Sequence, residues 1–185
     1  MFSPAYPIHT ERLSLRPFSM DDLDAVHAIQ SREDVTRYLY WGPRDRAAVR
    51  ETLAQRVNQR RIDEFNDLLA MAVELRATGE LVGTANLGWA SAEHGQGELG
   101  YVLHPDHHGH GYATEIAIAL LRLGFQEIGM HRVYGRCDGR NTASARVMAK
   151  AGMRLEAHLR ENEFLRGEWT DELVYALLAK EWQPR

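Results

Sequence analysis

The stretch from Tyr101 to Glu115 reads YVLHPDHHGHGYATE and predicts how the middle of the chain folds. An apolar run ends at Pro105, and a turn with glycines at positions 109 and 111 leads into a segment whose apolar residues recur at helical spacing. We therefore expect a strand, a glycine turn and a helix that begins near Gly111. Because the first amides of a helix lack internal partners and glycine leaves room beside the backbone, such a turn can bind a phosphate or pyrophosphate. It can equally be a tight connection without a ligand.

Two familiar phosphate-binding motifs do not fit this turn. A nucleoside-triphosphate loop would need Gly-Lys-Ser or Gly-Lys-Thr, and the turn has neither. A dinucleotide fingerprint needs three spaced glycines in an early βαβ unit, whereas this turn has two and comes late in the chain. The nature of the anion must therefore come from the surrounding residues.

Strands and helices alternate on both sides of the turn, without an internal repeat. Alternating or continuous apolar runs predict seven strands, at 12–16, 68–76, 80–89, 97–104, 132–137, 153–164 and 169–178. Capping residues and helical spacing predict helices after Ser19 and at about 45–61, 111–126 and 141–151. This order indicates an α/β (α+β) fold with a mixed sheet, in a single domain that spans residues 1–185.

Composition excludes several classes of protein. The 185 residues are 44% hydrophobic and 26% charged, as in an ordinary globular domain. The apolar runs are far shorter than the roughly 20 residues that cross a bilayer, and the first residues do not look like a signal peptide. Cys137 is the one cysteine, which excludes an internal disulfide and fits a reducing compartment. A net charge of −4 argues against a dedicated nucleic-acid binder. Taken together, the short apolar runs, the first residues and the single cysteine lead us to expect a cytoplasmic protein.

Two clusters of residues leave alternatives open. The second predicted helix and its flanks carry six arginines against Asp45 and Glu51, which indicates a solvated face or a surface for an anionic partner. Four histidines lie within the seven residues 104–110, which include the glycine turn. They suggest a metal site, although rings in a tight turn point in different directions. We therefore expect no metal.

The order of motifs around the turn adds a family resemblance. The motifs are 98–115, Asn141-Thr142-Ala143-Ser144, Lys150-Ala151-Gly152-Met153, the opening TERLSLRP at 10–17 and the closing GEWTD at 167–171. Together they resemble the GNAT superfamily of N-acetyltransferases, and more closely its ribosomal-protein alanine and serine N-terminal acetyltransferases. The resemblance covers nearly the whole chain. It implies a mostly antiparallel central sheet of about seven strands flanked by about four helices.

By this resemblance the anion is the pyrophosphate of acetyl-CoA. The residues implied to hold it are His108, Gly109, His110, Gly111, Tyr112, Ala113 and Thr114. The family splays two neighbouring strands apart here, and the pantetheine arm would pair with the exposed edge at Tyr101, Val102 and Leu103. In relatives the residue at Asn141 contacts the pantetheine arm, and the residue at Ser144 lies near the thioester sulfur.

The chain departs from the family pattern at His108, where relatives usually have Gln or Arg. A histidine supplies positive charge only when it is protonated, which predicts a weaker or pH-sensitive affinity for the coenzyme. The departure also leaves an alternative function: a non-catalytic acyl-CoA-binding or regulatory module with the same fold.

The resemblance implies direct transfer of the acetyl group to a primary amine through a tetrahedral intermediate. The expected base is Glu163, with Glu98 as the second candidate. A backbone N–H near Val102 would stabilise the oxyanion. Ser144 would donate to the sulfur, because Met148 occupies the position where many relatives have a tyrosine.

The acceptor would be a protein N-terminal α-amine or a small-molecule amine, since relatives include both. We expect its groove between the first two helices and the last hairpin, with Tyr38, Tyr40, Trp41 and Trp89 either lining it or packing in the interior. A homodimer is an open option for the assembly.

Overall fold

A computed structural model describes residues 2–64 and 66–183 of the chain. The described residues form one sheet, whose strands are β1 (Ile8–His9), β2 (Leu13–Pro17), β3 (Leu68–Leu75), β4 (Leu81–Ser91), β5 (Gln96–Leu103), β6 (Arg132–Asp138), β7 (Arg154–Leu165) and β8 (Glu168–Leu178). The α-helices are α1 (Leu23–Gln30), α2 (Glu33–Thr36), α3 (Arg46–Arg56), α4 (Tyr112–Arg122) and α5 (Thr142–Lys150). The strand order is β1-β2-β3-β4-β5-β6-β8-β7, and all neighbours are antiparallel except β5 and β6.

The predicted fold class, a mixed and mostly antiparallel sheet flanked by helices, is confirmed, with small differences in the counts. The sheet has eight strands because Ile8 and His9 pair with Leu15 and Ser14. The short helix α2 adds a fifth α-helix among the described residues.

The second predicted helix is shorter than its sequence pattern suggests. Helix α3 ends at Arg56, whereas the prediction extended to Arg61. The carbonyl of Gln59 accepts a hydrogen bond from Ala70 in β3, and Ile62 pairs with Phe2, so this segment returns to the sheet. Long-range backbone pairing has overridden a local helical preference.

Helix α4 packs against one face of the sheet and begins at the glycine turn. Its buried face includes Ile116, Ala117, Leu120 and Leu121, each 0% exposed. Each large apolar side chain buried in this way contributes about 1.5–3 kcal/mol. Beyond Arg122 the backbone continues as a π-helical segment to Ile128, close to the predicted end at Gln126. A smaller cluster beneath α1 and α3 covers the other face.

The one parallel pair of strands separates after a short contact. Strand β5 pairs with β6 from Gln96↔Arg132 to Glu98↔Tyr134. From there β5 continues along β4 as far as Leu103, while β6 continues along β8 as far as Asp138. The sheet therefore opens into a V between these two strands.

Among the described residues, no helix is both long and apolar enough to cross a lipid bilayer.

Candidate active site

A cleft of about 600 Å³ lies where the sheet opens. Strand β5 contributes Tyr101, Val102 and Leu103 to its walls. The α4 side contributes His108, Gly109, Gly111, Tyr112, Ala113 and Thr114, and the α5 side contributes Asn141 and Ser144. All the predicted coenzyme-binding residues except His110 therefore meet in one cleft.

The glycine turn has the backbone conformation that its sequence requires. Gly109 has φ 80° and Gly111, the N-cap of α4, has φ 83°, a left-handed region that disfavours other residues. A Cβ added at Gly109 would have no heavy atom within 4 Å, so it would project into open space. The amides of Tyr112, Ala113 and Thr114 begin the helix without intrahelical acceptors. This cradle fits a diphosphate.

Side-chain contacts hold the start of α4 against the first strands. Glu115 accepts hydrogen bonds from the Thr10 hydroxyl (2.5 Å), from the Arg12 amide (2.8 Å) and from Arg12 Nε (2.8 Å). Burial raises the pKa of Glu115, but these hydrogen bonds outweigh burial and lower it overall. Arg12 also donates to the carbonyl of His110 (2.8 Å), and the His110 ring stacks on Tyr112. These contacts fix the carbonyl and the ring of His110, which is not a lining residue of the cleft.

The predicted departure at His108 has a structural role that the sequence did not reveal. Its Nε2 lies 3.2 Å from the carbonyl oxygen of Leu103 and donates to it, because a carbonyl only accepts. The ring therefore ties the turn to the end of β5. His107 instead faces Glu80 (3.3 Å), and His104 accepts from the Asp106 amide. No group of three or more potential metal ligands gathers within residues 2–64 and 66–183.

The open edge of β5 presents alternate residues to the cleft. The amide of His104 donates to Val82 in β4 (2.8 Å), and Val102 pairs with Thr84. The backbone N–H and C=O groups of successive residues point to alternate edges of a strand. Those of Tyr101 and Leu103 therefore point into the opening between β5 and β6. The oxyanion donor expected near Val102 is therefore better supplied by the amide of Tyr101 or Leu103.

The hydroxyl groups of Tyr101 and Ser144 meet at the floor of the cleft. Tyr101 OH lies 3.0 Å from Ser144 Oγ and 3.3 Å from the Ser144 carbonyl oxygen. Asn141 caps α5 by accepting from the Ser144 amide (3.1 Å). Burial raises the pKa of Tyr101 to about 12, and burial together with the charge of Asp138 raises the pKa of Cys137 to about 11.

The two predicted bases lie on the opposite face of the sheet. Glu98 accepts from Arg136 Nε (2.9 Å) and from the Tyr134 hydroxyl (3.1 Å). Glu163 pairs with Thr170 across the last hairpin and is partly exposed. Neither glutamate is among the residues that line the cleft in the described part of the chain.

Sequence analysis missed a buried carboxylate, Glu172, which shares the cation Arg136 with Glu98. It is 3% exposed and accepts hydrogen bonds from Tyr40 (2.7 Å), Asn162 (3.0 Å) and Arg136 (3.3 Å). Burial and the bond to Glu172, with a smaller effect from the charge of Glu163, raise the pKa of Tyr40. The signal available in the sequence was the alternation along β8, which places Glu172 on the same face as Val174 and Ala176.

A bulge in β7 aims Asn162 at this carboxylate. Leu159 pairs with Glu172 and Glu163 with Thr170, so β7 advances four residues while β8 advances two. Asn162 lies within this irregularity, which is a common way to redirect a side chain beside an active site.

The segment around α2 is tied to the last hairpin. Arg166, in the β7–β8 turn, donates to the carbonyls of Thr36 (2.5 Å) and Trp41 (3.0 Å). Of the four aromatic residues predicted for the groove, Tyr38 lines the cleft, Tyr40 bonds Glu172 and Trp41 lies under Arg44. Trp89 instead packs against the main core.

The arginine-rich helix has intramolecular contacts. Arg46 pairs with Asp24, Arg61 with Asp63, and Arg56 lies over the ring of Phe18. These contacts favour the interpretation of a structural and solvated face.

Comparison with known sequences identifies the family. The profile of the acetyltransferase (GNAT) domain matches residues 12–154. The chain belongs to the GNAT acetyltransferase family. It is 34% identical over 175 residues to the uncharacterized N-acetyltransferase YnaD of Bacillus subtilis, covering 95% of this chain and 98% of that one. This GNAT protein is therefore an acetyl-CoA-dependent acyltransferase, which confirms the predicted family and enzyme class.

Solved structures support the same fold. A GNAT-family acetyltransferase from Bacillus anthracis superposes with a TM-score of 0.84 at 33% identity, covering 94% of this chain and 98% of that one. Spermidine N-acetyltransferase from Vibrio cholerae, in complex with CoA and spermine, has a TM-score of 0.79 at 21% identity, covering 93% and 98% of the two chains. A putative ribosomal-protein-serine acetyltransferase from Vibrio cholerae has a TM-score of 0.79 at 22% identity, covering 96% and 99%. At these lower identities the likeness concerns the fold.

Proposed function

We propose that the protein transfers the acetyl group of acetyl-CoA to a primary amine by direct attack of the amine on the thioester. The observation that supports this proposal most strongly is that two features occur in one cleft: the opening between β5 and β6, and the glycine-capped start of α4. The first holds an extended arm against a strand edge, and the second holds a diphosphate. We extend this assignment to the whole chain, residues 1–185, as one acetyltransferase domain.

The coenzyme side relies on backbone groups. The amides from Gly109 to Thr114 would hold the pyrophosphate, and the edge groups of Tyr101 and Leu103 would pair with the pantetheine arm. Asn141 and Ser144, three residues apart on α5, face the cleft together. When bound, acetyl-CoA supplies the activated acetyl group. No step in this scheme needs a metal ion.

The acceptor side relies on charged side chains. Glu98, Glu163 and Glu172 share one face of the sheet, where Arg136 contacts two of them. Their combined charge is negative and attracts an amine in its ammonium form. The amine must then lose a proton, which is easier for an α-amine of pKa about 8 than for a lysine of pKa about 10.4.

Glu163 acts as the base in this proposal, directly or through water. Glu98 is held by Arg136 and Tyr134, which occupy its oxygens, whereas Glu163 is partly exposed beside the rim of the acceptor side. The acceptor is a small cationic amine or a protein N-terminus. The spermidine acetyltransferase fold relative supports the first and the ribosomal-protein-serine relative the second. A cytoplasmic location and a homodimer stay predictions.

An acceptor panel tests the proposal. Purified protein is mixed with acetyl-CoA and, separately, with polyamines, free lysine and peptides that begin with Ala or Ser, and the release of free CoA thiol is followed. Cys137 adds little background because it is buried and its pKa is about 11. Acceptor-dependent thiol release supports the proposal. Coenzyme binding without release for any amine would favour the non-catalytic module.

A further inference from the structure

The pair of hydroxyl groups at the floor of the cleft has a preferred polarity. Tyr101 OH lies 3.0 Å from the hydroxyl oxygen of Ser144 and 3.3 Å from its carbonyl oxygen, and either hydroxyl can donate to the other. A phenol is a stronger acid than an aliphatic alcohol, which favours Tyr101 as the donor to Ser144 Oγ at the shorter distance. With the Tyr101 hydrogen directed at Ser144, the hydrogen of Ser144 is free to point elsewhere.

Two acceptors lie within reach of that hydrogen. One is the thiol of Cys137, which is buried and, as a neutral sulfur, accepts weakly. The other is whatever occupies the cleft that Ser144 lines. An anionic sulfur in the cleft is the stronger acceptor, because hydrogen bonds to charged groups are roughly twice as strong as neutral ones.

We propose that Tyr101 is a positioning residue for acetyl transfer: it fixes the rotation of the Ser144 hydroxyl so that Ser144 donates a hydrogen bond to the departing sulfur and stabilises it as a thiolate. This inference rests on the proposed function, because it assumes that the coenzyme sulfur occupies the cleft.

The pair stabilises the thiolate without protonating it. A thiol has an ordinary pKa of about 8.5, whereas the pKa of Tyr101 is raised to about 12, so transfer of its proton to the thiolate would be unfavourable. The ammonium first loses one proton to water, because only the neutral amine can attack. In the reaction, the C–N bond forms and the C–S bond breaks with its electron pair on sulfur. The second proton, on the nitrogen of the tetrahedral intermediate, passes to the carboxylate base, and the thiolate takes a proton from solvent after its release.

The position of Ser144 favours this role. Ser144 lies in the first turn of α5, where the helix dipole favours negative charge. Of the acidic groups on the neighbouring strands, the Cys137 thiol lies on the same face as the pair, whereas Asp138 and Glu172 lie on the opposite face and act on that thiol through their charges. Cys137 stays protonated at neutral pH because its pKa is about 11, so it does not compete as an anion.

The test measures the pKa of the coenzyme sulfur in the complex with CoA, from the ultraviolet absorbance of the thiolate. In the wild-type complex this pKa should lie below that of free CoA. Tyr101→Phe should raise it by about one unit, and Ser144→Ala by about one to two units, the size of a hydrogen bond to a charged group. The double variant should match Ser144→Ala alone, because Tyr101 acts through Ser144. Tyr175→Phe, which removes another partly buried tyrosine hydroxyl, is the control and should match wild type.

The outcomes separate this inference from the proposed function. Calorimetry with CoA comes first: if wild-type protein does not bind CoA, both fail. If CoA binds and Tyr101→Phe leaves the sulfur pKa unchanged, or if the two substitutions add, only the role of Tyr101 is overturned. Should Tyr101→Phe fail to fold, Ser144→Ala alone decides, since an unchanged sulfur pKa there removes the donor that Tyr101 is said to orient. Turnover should fall about tenfold in Tyr101→Phe at an unchanged acceptor KM.

Discussion

The two faces of the sheet at the β5–β6 opening build their halves of the cleft in different ways. The half that we propose to hold the coenzyme, the coenzyme half, consists of a glycine turn and two helix starts, and most of its residues lie close to their partners in the sequence. The half that we propose to hold the amine, the acceptor half, is joined by contacts such as Tyr40–Glu172 and Arg166–Thr36, which are 132 and 130 residues apart. The first half therefore follows from local rules, and the second depends on the whole fold.

This difference has a functional consequence. Backbone groups recognise what every acetyl-CoA molecule shares, whereas side chains on the other face can change to suit a different amine. We therefore expect substitutions in one half to affect coenzyme affinity, and substitutions in the other half to affect the acceptor or the chemical step. The following predictions test that division.

The largest effect is expected for the base. Glu163→Gln should lower kcat by about 100-fold, because general base catalysis typically contributes at least that factor. The affinity for CoA should stay within about twofold of wild type, since Glu163 lies outside the coenzyme half. Steady-state kinetics and calorimetry measure the two quantities. Glu161→Gln, two residues away on the same strand, is the control, and wild-type turnover in Glu163→Gln would reassign the base to Glu98.

The glycine turn should control coenzyme affinity. Gly109→Ala forces a left-handed residue and adds a methyl group that projects into the open space of the turn, so CoA binding should weaken by about tenfold. Gly129→Ala is a matched control, because Gly129 has φ 79° and no neighbour within 4 Å but lies outside the cleft lining. Both variants should lose about 1 kcal/mol of unfolding free energy. Equal CoA affinities in the two variants would contradict the assignment of the turn.

The contacts of the buried carboxylate Glu172 should affect the KM of the acceptor. Tyr40→Phe removes a 2.7 Å hydrogen bond to Glu172 and loosens the α2 segment, which should raise the acceptor KM by about fivefold. The affinity for CoA should not change. An effect on CoA binding equal to that on the acceptor KM would mean that the two halves are not separate.

The smallest effect concerns the anchor of α4. Glu115→Gln should lower the free energy of unfolding at pH 7 by about 1 kcal/mol, because the charged hydrogen bonds from Arg12 are lost. The pKa of Glu115 is lowered in the folded state, so its contribution is present above the unfolded pKa of about 4.3 and is lost as the pH falls through the folded value. Denaturation at pH 7 and at low pH should therefore give a difference from wild type that shrinks in acid. Glu127→Gln, on the exposed side of the π-helical segment, should show no such trend.

The local geometry of the proposed coenzyme half was predictable for a physical reason. The glycines at 109 and 111, the helix start at Tyr112 and the cap at Asn141 are each determined by neighbours in the chain. The sheet was also predictable, since alternation and turn residues mark its longer strands. The contact between Arg12, from the start of the chain, and the carbonyl of His110 could not be read from the sequence.

The acceptor half could not be predicted to the same depth. Helix α2 has four residues and too few helical repeats to give a pattern. Glu172 looked like any strand carboxylate until the fold brought Tyr40, Asn162 and Arg136 around it. Within the coenzyme half, the contact between Tyr101 and Ser144 was also not predictable, because it joins a strand and a helix 43 residues apart.

The most direct measurement is a crystal structure of the protein with CoA. Our account predicts that the diphosphate oxygens lie within hydrogen-bonding distance of the amides of Tyr112, Ala113 and Thr114, with the arm running along the free edge of β5 towards Ser144. A coenzyme bound elsewhere, or a cleft in the complex filled by the protein's own side chains, would contradict it.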